Sequence, residues 1–330
     1  MLVRLGPLPA GPVDRILFVT ATRIGDAVLS TGLLSHLLDR YPDSRVTIVA
    51  GPVAAPLFIA VPRLERLIAL AKRSHSRHWL DLYAQIAMTR WDLVVDLRGS
   101  ALSWLLWTRH RRVIAKGDPT EHRVVQLARL FDLSTPPAPH LWTSAGDEAA
   151  ADRLIGATPS AILGIGPSAN WGAKQWRGER FTELALRLTS PGGVFAGARV
   201  AIFGAPGERA ITDPVLAALP AERRIDLVGA GALPVVAACL KRCTMFIGND
   251  TGLMHMAAAV GTPTLGLFGP SPVRQYGPWG DHTATVLTPI SYEALVSDPS
   301  FDHRRQVSLM DSLTVDAAEA GAIRLAARAR

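Results

Sequence analysis

Residues 244–269, TMFIGNDTGLMHMAAAVGTPTLGLFG, constrain the fold of this 330-residue chain more than any other stretch. Residues 244–247 are apolar and partly β-branched, which predicts a short buried strand. Gly248-Asn249-Asp250-Thr251-Gly252 is a turn containing good helix-capping residue types. Residues 253–260 are rich in Ala, Met and Leu and predict a buried helix, ended by Gly261 with Pro263 just beyond. Residues 264–268 then predict a second strand. Strand, turn, helix and strand make a βαβ unit, and its turn falls at the carboxyl end of the first strand, where open α/β sheets take ligands. The first amide groups of the helix would favour an anion such as phosphate there.

The rest of the chain repeats that plan. Strands are expected at residues 15–20, 45–50, 64–70, 93–97 and 112–115, with helices at 27–40 and 79–89. The Pro-rich stretch 134–140 closes this half. A helix at 147–155, broken at Thr158-Pro159, leads into a second series. Its strands are expected at 161–165, 199–203, 225–228, 244–247 and 264–268, and its helices at 179–188, 208–219 and 234–241. A final amphipathic helix occupies 311–328. Strand alternating with helix predicts parallel, doubly wound sheets. The expected fold class is therefore α/β, in two domains of residues 1–150 and 151–330 with a ligand cleft between them.

Composition narrows the partners. Hydrophobic residues make up 48% of the chain and charged residues 19%, which is a globular and not a disordered balance. The net charge of +7 favours acidic partners such as nucleotides, phosphorylated sugars or an anionic membrane surface. Nucleic acid is not expected, because the chain has no zinc-finger spacing, RNP-type motif or long Lys/Arg run. Residues 1–150 hold 18 Lys and Arg against 13 Asp and Glu, while residues 151–330 hold 17 against 15, so the basic excess lies in the first half. Cys239 and Cys243 read as buried structural thiols in a reducing compartment. No apolar run reaches the ~18–20 residues of a spanning helix, and the N-terminus lacks a signal-type apolar core, so a cytoplasmic protein is expected.

Several loops carry candidate chemistry. Arg23-Ile24-Gly25-Asp26 is the turn after the first strand, with Asp26 expected just before a helix. Its carboxylate either caps that helix or accepts a proton from a hydroxyl. Residues 167–176, PSANWGAKQW, form a polar loop in which Ser168 and Asn170 are candidate phosphate or hydroxyl donors and Lys174 a candidate charge for the same site. Trp171 and Trp176 need something to pack against. Glu208, after Gly204-Ala205-Pro206-Gly207, either binds a sugar hydroxyl or opposes a helix dipole. Asp250 or Thr251 either caps a helix or faces a ligand. His255, four residues after Thr251 and on the same helix face, is either a core histidine or part of that site. Residues 101–115, ALSWLLWTRHRRVIA, read as a core helix with a charged turn, or as a membrane-surface patch of tryptophan and arginine.

Other motifs are missing. The chain has no Walker A sequence, no Gly-x-Ser-x-Gly elbow, no Asp-x-Asp pair for a divalent cation and no zinc spacing. Its route to phosphate is cationic side chains and a helix N-terminus.

Taken together, Arg-x-Gly-Asp after the first strand, the Lys174 loop, Gly204-Ala205-Pro206 with Glu208, and Asp250-Thr251-Gly252-x-x-His255 resemble glycosyltransferase family 9, the heptosyltransferases of lipopolysaccharide core assembly. The resemblance covers nearly the whole chain in the family's order. It implies two Rossmann-like domains facing a cleft, the GT-B type fold, with the acceptor bound by residues 1–150 and the nucleotide sugar by 151–330. The final helix would pack back on the N-terminal domain. It also implies an inverting transfer from a nucleotide-diphosphate heptose as co-substrate, with no other cofactor and no catalytic metal, to a lipid-linked or saccharide acceptor. Asp26 would be the general base and Lys174 would neutralise the departing diphosphate. Asn170 would lie near the phosphates beside Ala169, whose side chain cannot donate a hydrogen bond. Glu208 would hold the ribose, Thr251 and Gly252 the diphosphate, and Asp250 the sugar, with His255 supporting the turn. A peripheral contact of the basic N-terminal half with the anionic inner membrane also follows. Alternatives of other classes are a nucleotide-sugar epimerase or hydrolase and a non-catalytic nucleotide-sugar-binding protein.

Overall fold

The computed structural model describes residues 6–114, 117–156, 160–297 and 306–329. The chain forms two compact units, Met1–Trp142 and Thr143–Arg330. The division falls ahead of residue 150 because the helix expected at 147–155 belongs to the second unit. It spans Ala145–Ile155, and Glu148 and Asp152 on it accept hydrogen bonds from Arg242 at 2.6 and 2.8 Å. The break expected at Thr158-Pro159 lies outside the described residues.

In the first unit the strands are β1 (Arg15–Val19), β2 (Arg45–Ala50), β3 (Leu64–Ala69), β4 (Trp91–Asp96) and β5 (Thr108–Val113). They form one parallel sheet in the order β3-β2-β1-β4-β5. The central strands are apolar on both faces because helices or turns cover each side. Helix α1 (Ile24–Arg40) follows β1, α2 (Arg77–Ile86) precedes β4, and α3 (Arg123–Ala128) follows β5. The Pro-rich stretch crosses α1, where the Thr31 hydroxyl accepts from the His140 amide at 3.0 Å. Strand order reverses between β1 and β4, which places the exits of those two strands at a topological switch point.

Residues 101–115 correct one expectation. A short 3-10 turn, Ala101–Trp104, leads into β5, so the basic run Arg109-His110-Arg111-Arg112 lies on an edge strand and neither a core helix nor a charged turn forms. An edge strand needs one pairing partner and tolerates charge. The charges are placed individually: Arg111 Nε donates to the Ser103 carbonyl at 2.6 Å and Arg112 Nε to the Gly6 carbonyl at 3.1 Å.

In the second unit α4 (Ala145–Ile155) is followed by β6 (Ile162–Gly166), α5 (Gly178–Thr189), β7 (Arg199–Gly204), α6 (Arg209–Ala217), β8 (Arg224–Val228) and α7 (Leu233–Lys241). Then come β9 (Met245–Asn249), α8 (Gly252–Ala259), β10 (Thr264–Phe268), α9 (Val273–Tyr276), β11 (Thr283–Leu287), α10 (Tyr292–Ser297) and α11 (Val315–Ala329). This sheet is parallel with order β11-β10-β9-β6-β7-β8, and its switch point lies between β6 and β9. The final helix packs on α5, β10 and β11 of its own unit. Its apolar face, Val315, Ala318, Ala322, Leu325 and Ala326, joins that unit's core.

Candidate active site

In the second unit the exits of β6 and β9 meet. The loop after β6 turns through a 3-10 segment, Gly172–Lys174, which sends the Lys174 side chain to the end of β9. There Lys174 Nζ donates to Asp250 Oδ2 at 2.6 Å. The pair is only partly wet, with side-chain exposures of 24% for Lys174 and 7% for Asp250, so it is stronger than a surface ion pair. The other carboxylate oxygen, Asp250 Oδ1, lies 3.8 Å from His255 Nε2. His255 is buried on α8, and its amide closes that helix's first turn on the Thr251 carbonyl at 3.3 Å.

Thr251 occupies the N-cap position of α8, but its side chain caps nothing. Its hydroxyl oxygen is buried with no hydrogen-bond partner among the described residues. The simple capping reading of Asp250 and Thr251 therefore does not describe this turn. What remains is a buried hydroxyl and the first amides of an eight-residue helix beside a lysine, an arrangement able to receive an anion's oxygens.

The neighbouring loops are tied together by residues whose roles were not legible in the sequence. Asn249 Nδ2 donates to the Pro167 and Ser168 carbonyls at 2.9 and 3.3 Å, and its Oδ1 accepts from the Trp176 amide at 3.1 Å. One side chain thus spans both ends of the Lys174 loop. Ser168 Oγ donates to Glu208 Oε2 at 2.6 Å, and the Ala205 amide donates to the same oxygen at 2.7 Å. Ser168 and Glu208 are therefore partners of each other, and Glu208 holds the β7 exit loop as well. Asn170 is exposed two residues further on.

A strap formed by residues 306–313 lies over the same loop. The Gly172 amide donates to Gln306 Oε1 at 3.0 Å, the Leu309 amide to the Ala173 carbonyl at 2.9 Å, and Ser308 Oγ to the Gln175 carbonyl at 2.7 Å. Trp176, fully buried edge-on to Phe181 at 4.9 Å, donates its indole proton to the Leu313 carbonyl at 2.9 Å. Gly172 is required here because a Cβ on it would fall 2.2 Å from the Gln306 carbonyl oxygen.

Asp26 belongs to the first unit. It was expected just before a helix, but α1 begins at Ile24 and Asp26 lies in its first turn, partly buried. Helix α1 starts early because the Arg23 carbonyl accepts from the Ala27 amide at 3.1 Å, closing a turn without any side-chain cap. In that place the carboxylate favours the positive helix terminus. The exit turn of β2 presses on the same segment, since a Cβ at Gly51 would fall 2.5 Å from Thr22 Cα. Among the described residues no group of three or more His, Cys, Asp or Glu side chains gathers as metal ligands would.

The model of glycosyltransferase family 9 (heptosyltransferase) matches residues 80–300, more than half of the chain. The chain belongs to glycosyltransferase family 9. It is a glycosyltransferase of GT-B type fold, with two Rossmann-like domains. Among curated relatives, lipooligosaccharide heptosyltransferase 2 of Haemophilus influenzae is 26% identical over 320 residues, covering 85% of this chain and 90% of its own. Lipopolysaccharide heptosyltransferase 2 of Salmonella typhimurium is 25% identical, covering 83% and 87%. Among solved structures, a family 9 glycosyltransferase from Veillonella parvula superposes with a TM-score of 0.79 at 20% identity, covering 97% of this chain and 99% of its own. Escherichia coli ADP-heptose lipopolysaccharide heptosyltransferase II superposes with a TM-score of 0.73 at 20% identity, covering 95% and 98%. The family 9 chain described here thus keeps the whole two-domain plan at low identity.

Proposed function

We propose that this family 9 enzyme transfers a heptose, with inversion, from a nucleotide-diphosphate donor to a saccharide of the lipopolysaccharide core. The observation that carries the reading is the Lys174–Asp250 pair beside the open N-terminus of α8. Asp26 removes the proton from the acceptor hydroxyl, and the resulting oxygen forms a bond to the anomeric carbon. The bond from that carbon to the diphosphate breaks, its electron pair leaving on the phosphate oxygen. Lys174 and the amides at Thr251 and Gly252 oppose the charge that grows there. Asp250 orients Lys174 and meets the sugar, and Glu208 holds the ribose through its second oxygen. Lys174 and the helix N-terminus supply positive charge to the leaving diphosphate without a metal, and metal independence is part of the proposal.

ADP-heptose, named for the E. coli relative, is the first donor to test. The purified protein is incubated with it, with and without a heptose-deficient lipopolysaccharide acceptor and with and without EDTA. Chain-linked heptose formed only with acceptor, and unchanged by EDTA, supports the reading. Free heptose or an epimerised donor made without acceptor supports the epimerase or hydrolase class, and binding without any product supports a non-catalytic role.

The reading includes a cytoplasmic location with contact to an anionic membrane surface. It is supported by the buried cysteine thiols, by exposed Leu105, Trp107 and Met88, and by Arg90 and Arg111 lying 5.3 and 5.2 Å over Trp107 and Trp104. No helix among the described residues is long and apolar enough to cross a membrane. Co-sedimentation with phosphatidylglycerol vesicles, absent with phosphatidylcholine and lost in Trp107→Ala, tests the contact.

A further inference from the structure

We propose that Arg98 anchors an anionic group, carboxylate or phosphate, carried by the acceptor. The proposal rests on the reading that the first unit binds the acceptor.

Arg98 stands at the switch point of the first sheet. Val19 and Asp96 are paired across β1 and β4, and the Leu97 amide donates to the Val19 carbonyl at 2.8 Å. Arg98 follows directly on the β4 side, as the turn carrying Asp26 follows on the β1 side.

The carboxylate below Arg98 does not neutralise it through a direct bond. Asp96 is fully buried, and its oxygens accept from the amides of Arg98 and Ser100, both at 2.8 Å, from Ser100 Oγ at 2.6 Å and from Ser103 Oγ. Four local donors thus spend Asp96 on fixing the 97–103 turn. The guanidinium instead lies 4.6 Å over the ring of Trp79. Its Nη1 is buried with no hydrogen-bond partner among the described residues. Burial also pulls the guanidinium below its ordinary range, against the opposing effect of the Asp96 charge.

A buried guanidinium nitrogen without an acceptor costs free energy, which an incoming anionic oxygen would recover. The planar fork suits two oxygens of one carboxylate or phosphate, and the Trp79 stack fixes its plane before the ligand arrives. Left-handed backbone lies beside both Arg98 and the helix carrying Trp79. Gly99 has φ of 63°, and His75 and Ser76, just before the helix carrying Trp79, hold strained values of 51° and 57°. A sugar acid or a phosphorylated sugar is thus held near Asp26, while a neutral sugar gains nothing from Arg98.

The test titrates the full-length protein with glucuronic acid, glucose 6-phosphate and glucose, following the tryptophan emission that is lost in Trp79→Phe. One or both charged sugars bind, and which of them does so assigns the carboxylate or the phosphate. Arg98→Gln weakens that binding about tenfold or more, and Arg98→Lys does so as well because it keeps the charge and loses the fork. Melting temperatures of both variants confirm that they are folded. Equal binding of glucose, no binding by any of the three sugars, or unchanged binding in both variants overturns the anchor. In transfer to heptose-deficient lipopolysaccharide, Arg98→Gln raises the acceptor KM about tenfold with donor KM unchanged. Charged-sugar binding through Arg98 in a wild type that transfers no heptose overturns the transfer reading and leaves the anchor. Wild-type transfer with unaltered Arg98 variants overturns the anchor alone.

Discussion

Lys174 Nζ and Asp250 Oδ2 are 2.6 Å apart across 76 residues of sequence, joining the exits of β6 and β9. Each member limits what can be done to the other. Lys174→Met leaves a nearly dry carboxylate without its cation, so it destabilises the fold by about 1–3 kcal/mol. It also lowers transfer about 10²–10³-fold if the lysine faces the leaving diphosphate. Thermal melts and steady-state rates with ADP-heptose measure the two effects separately. Asp250→Asn keeps the lysine charge and shape, so it should lose less stability than Lys174→Met while still losing rate.

Asp26→Ala is expected to lower kcat about 10²–10⁴-fold, the usual worth of a general base. On the proposed reading the donor is bound by the other unit, so ADP-heptose should raise the melting temperature of this variant and of the wild type alike. A variant that turns over normally removes Asp26 from the mechanism.

The α4–α7 junction sets part of the acid stability. Hydrogen bonding from Thr143, followed by Arg242, holds the Glu148 carboxyl below its ordinary value of 4.5. A carboxyl depressed in the folded state contributes stability above its unfolded value and loses it as pH falls through the folded one. The melting temperature should therefore fall below about pH 4.5, and Glu148→Gln should flatten that fall. Equal acid sensitivity in the variant and the wild type would exclude Glu148 as a contributor.

The two cysteines should resist alkylation while the protein is folded. Burial pushes the Cys239 thiol up to about 11 and raises Cys243 further still. At pH 8 iodoacetamide should label neither thiol in native protein and both in urea, as read by mass spectrometry, because the thiolate is the reactive form.

Gly172→Ala tests the strap. The new methyl would meet the Gln306 carbonyl, so the loop or the strap must shift. Donor KM should rise together with a lowered kcat, because the shifted loop carries Lys174 with it.

The β9–α8–β10 unit was legible because every signal in it is local. The apolar run of β9, the Gly261 stop and the β10 run all lie within 25 residues, and helix and strand periods separate them cleanly. Lys174, Asp250 and His255 were named on motif order, and the structure brings those three together. What escaped was long-range. Asn249 reads as a turn residue, yet its value lies in three bonds to a loop about 80 positions away. The strap at 306–313 has no sequence signature, since it holds the loop through backbone groups and the side chains of Gln306 and Ser308. β5 was expected only at 112–115 because four basic residues in six weaken the strand pattern, and the pairing with β4 reveals its start at Thr108. Asp96 falls inside the strand expected at 93–97, and nothing local shows that four donors would converge on it.

The indole bond from Trp176 to the Leu313 carbonyl also sets an order on biosynthesis. Lys174 leaves the ribosome well before the segment that seats its loop, since Leu313 follows Trp176 by 137 positions. A chain stalled between His255 and Leu313 would carry all four family motifs and still present its lysine on a loop without the Trp176–Leu313 brace.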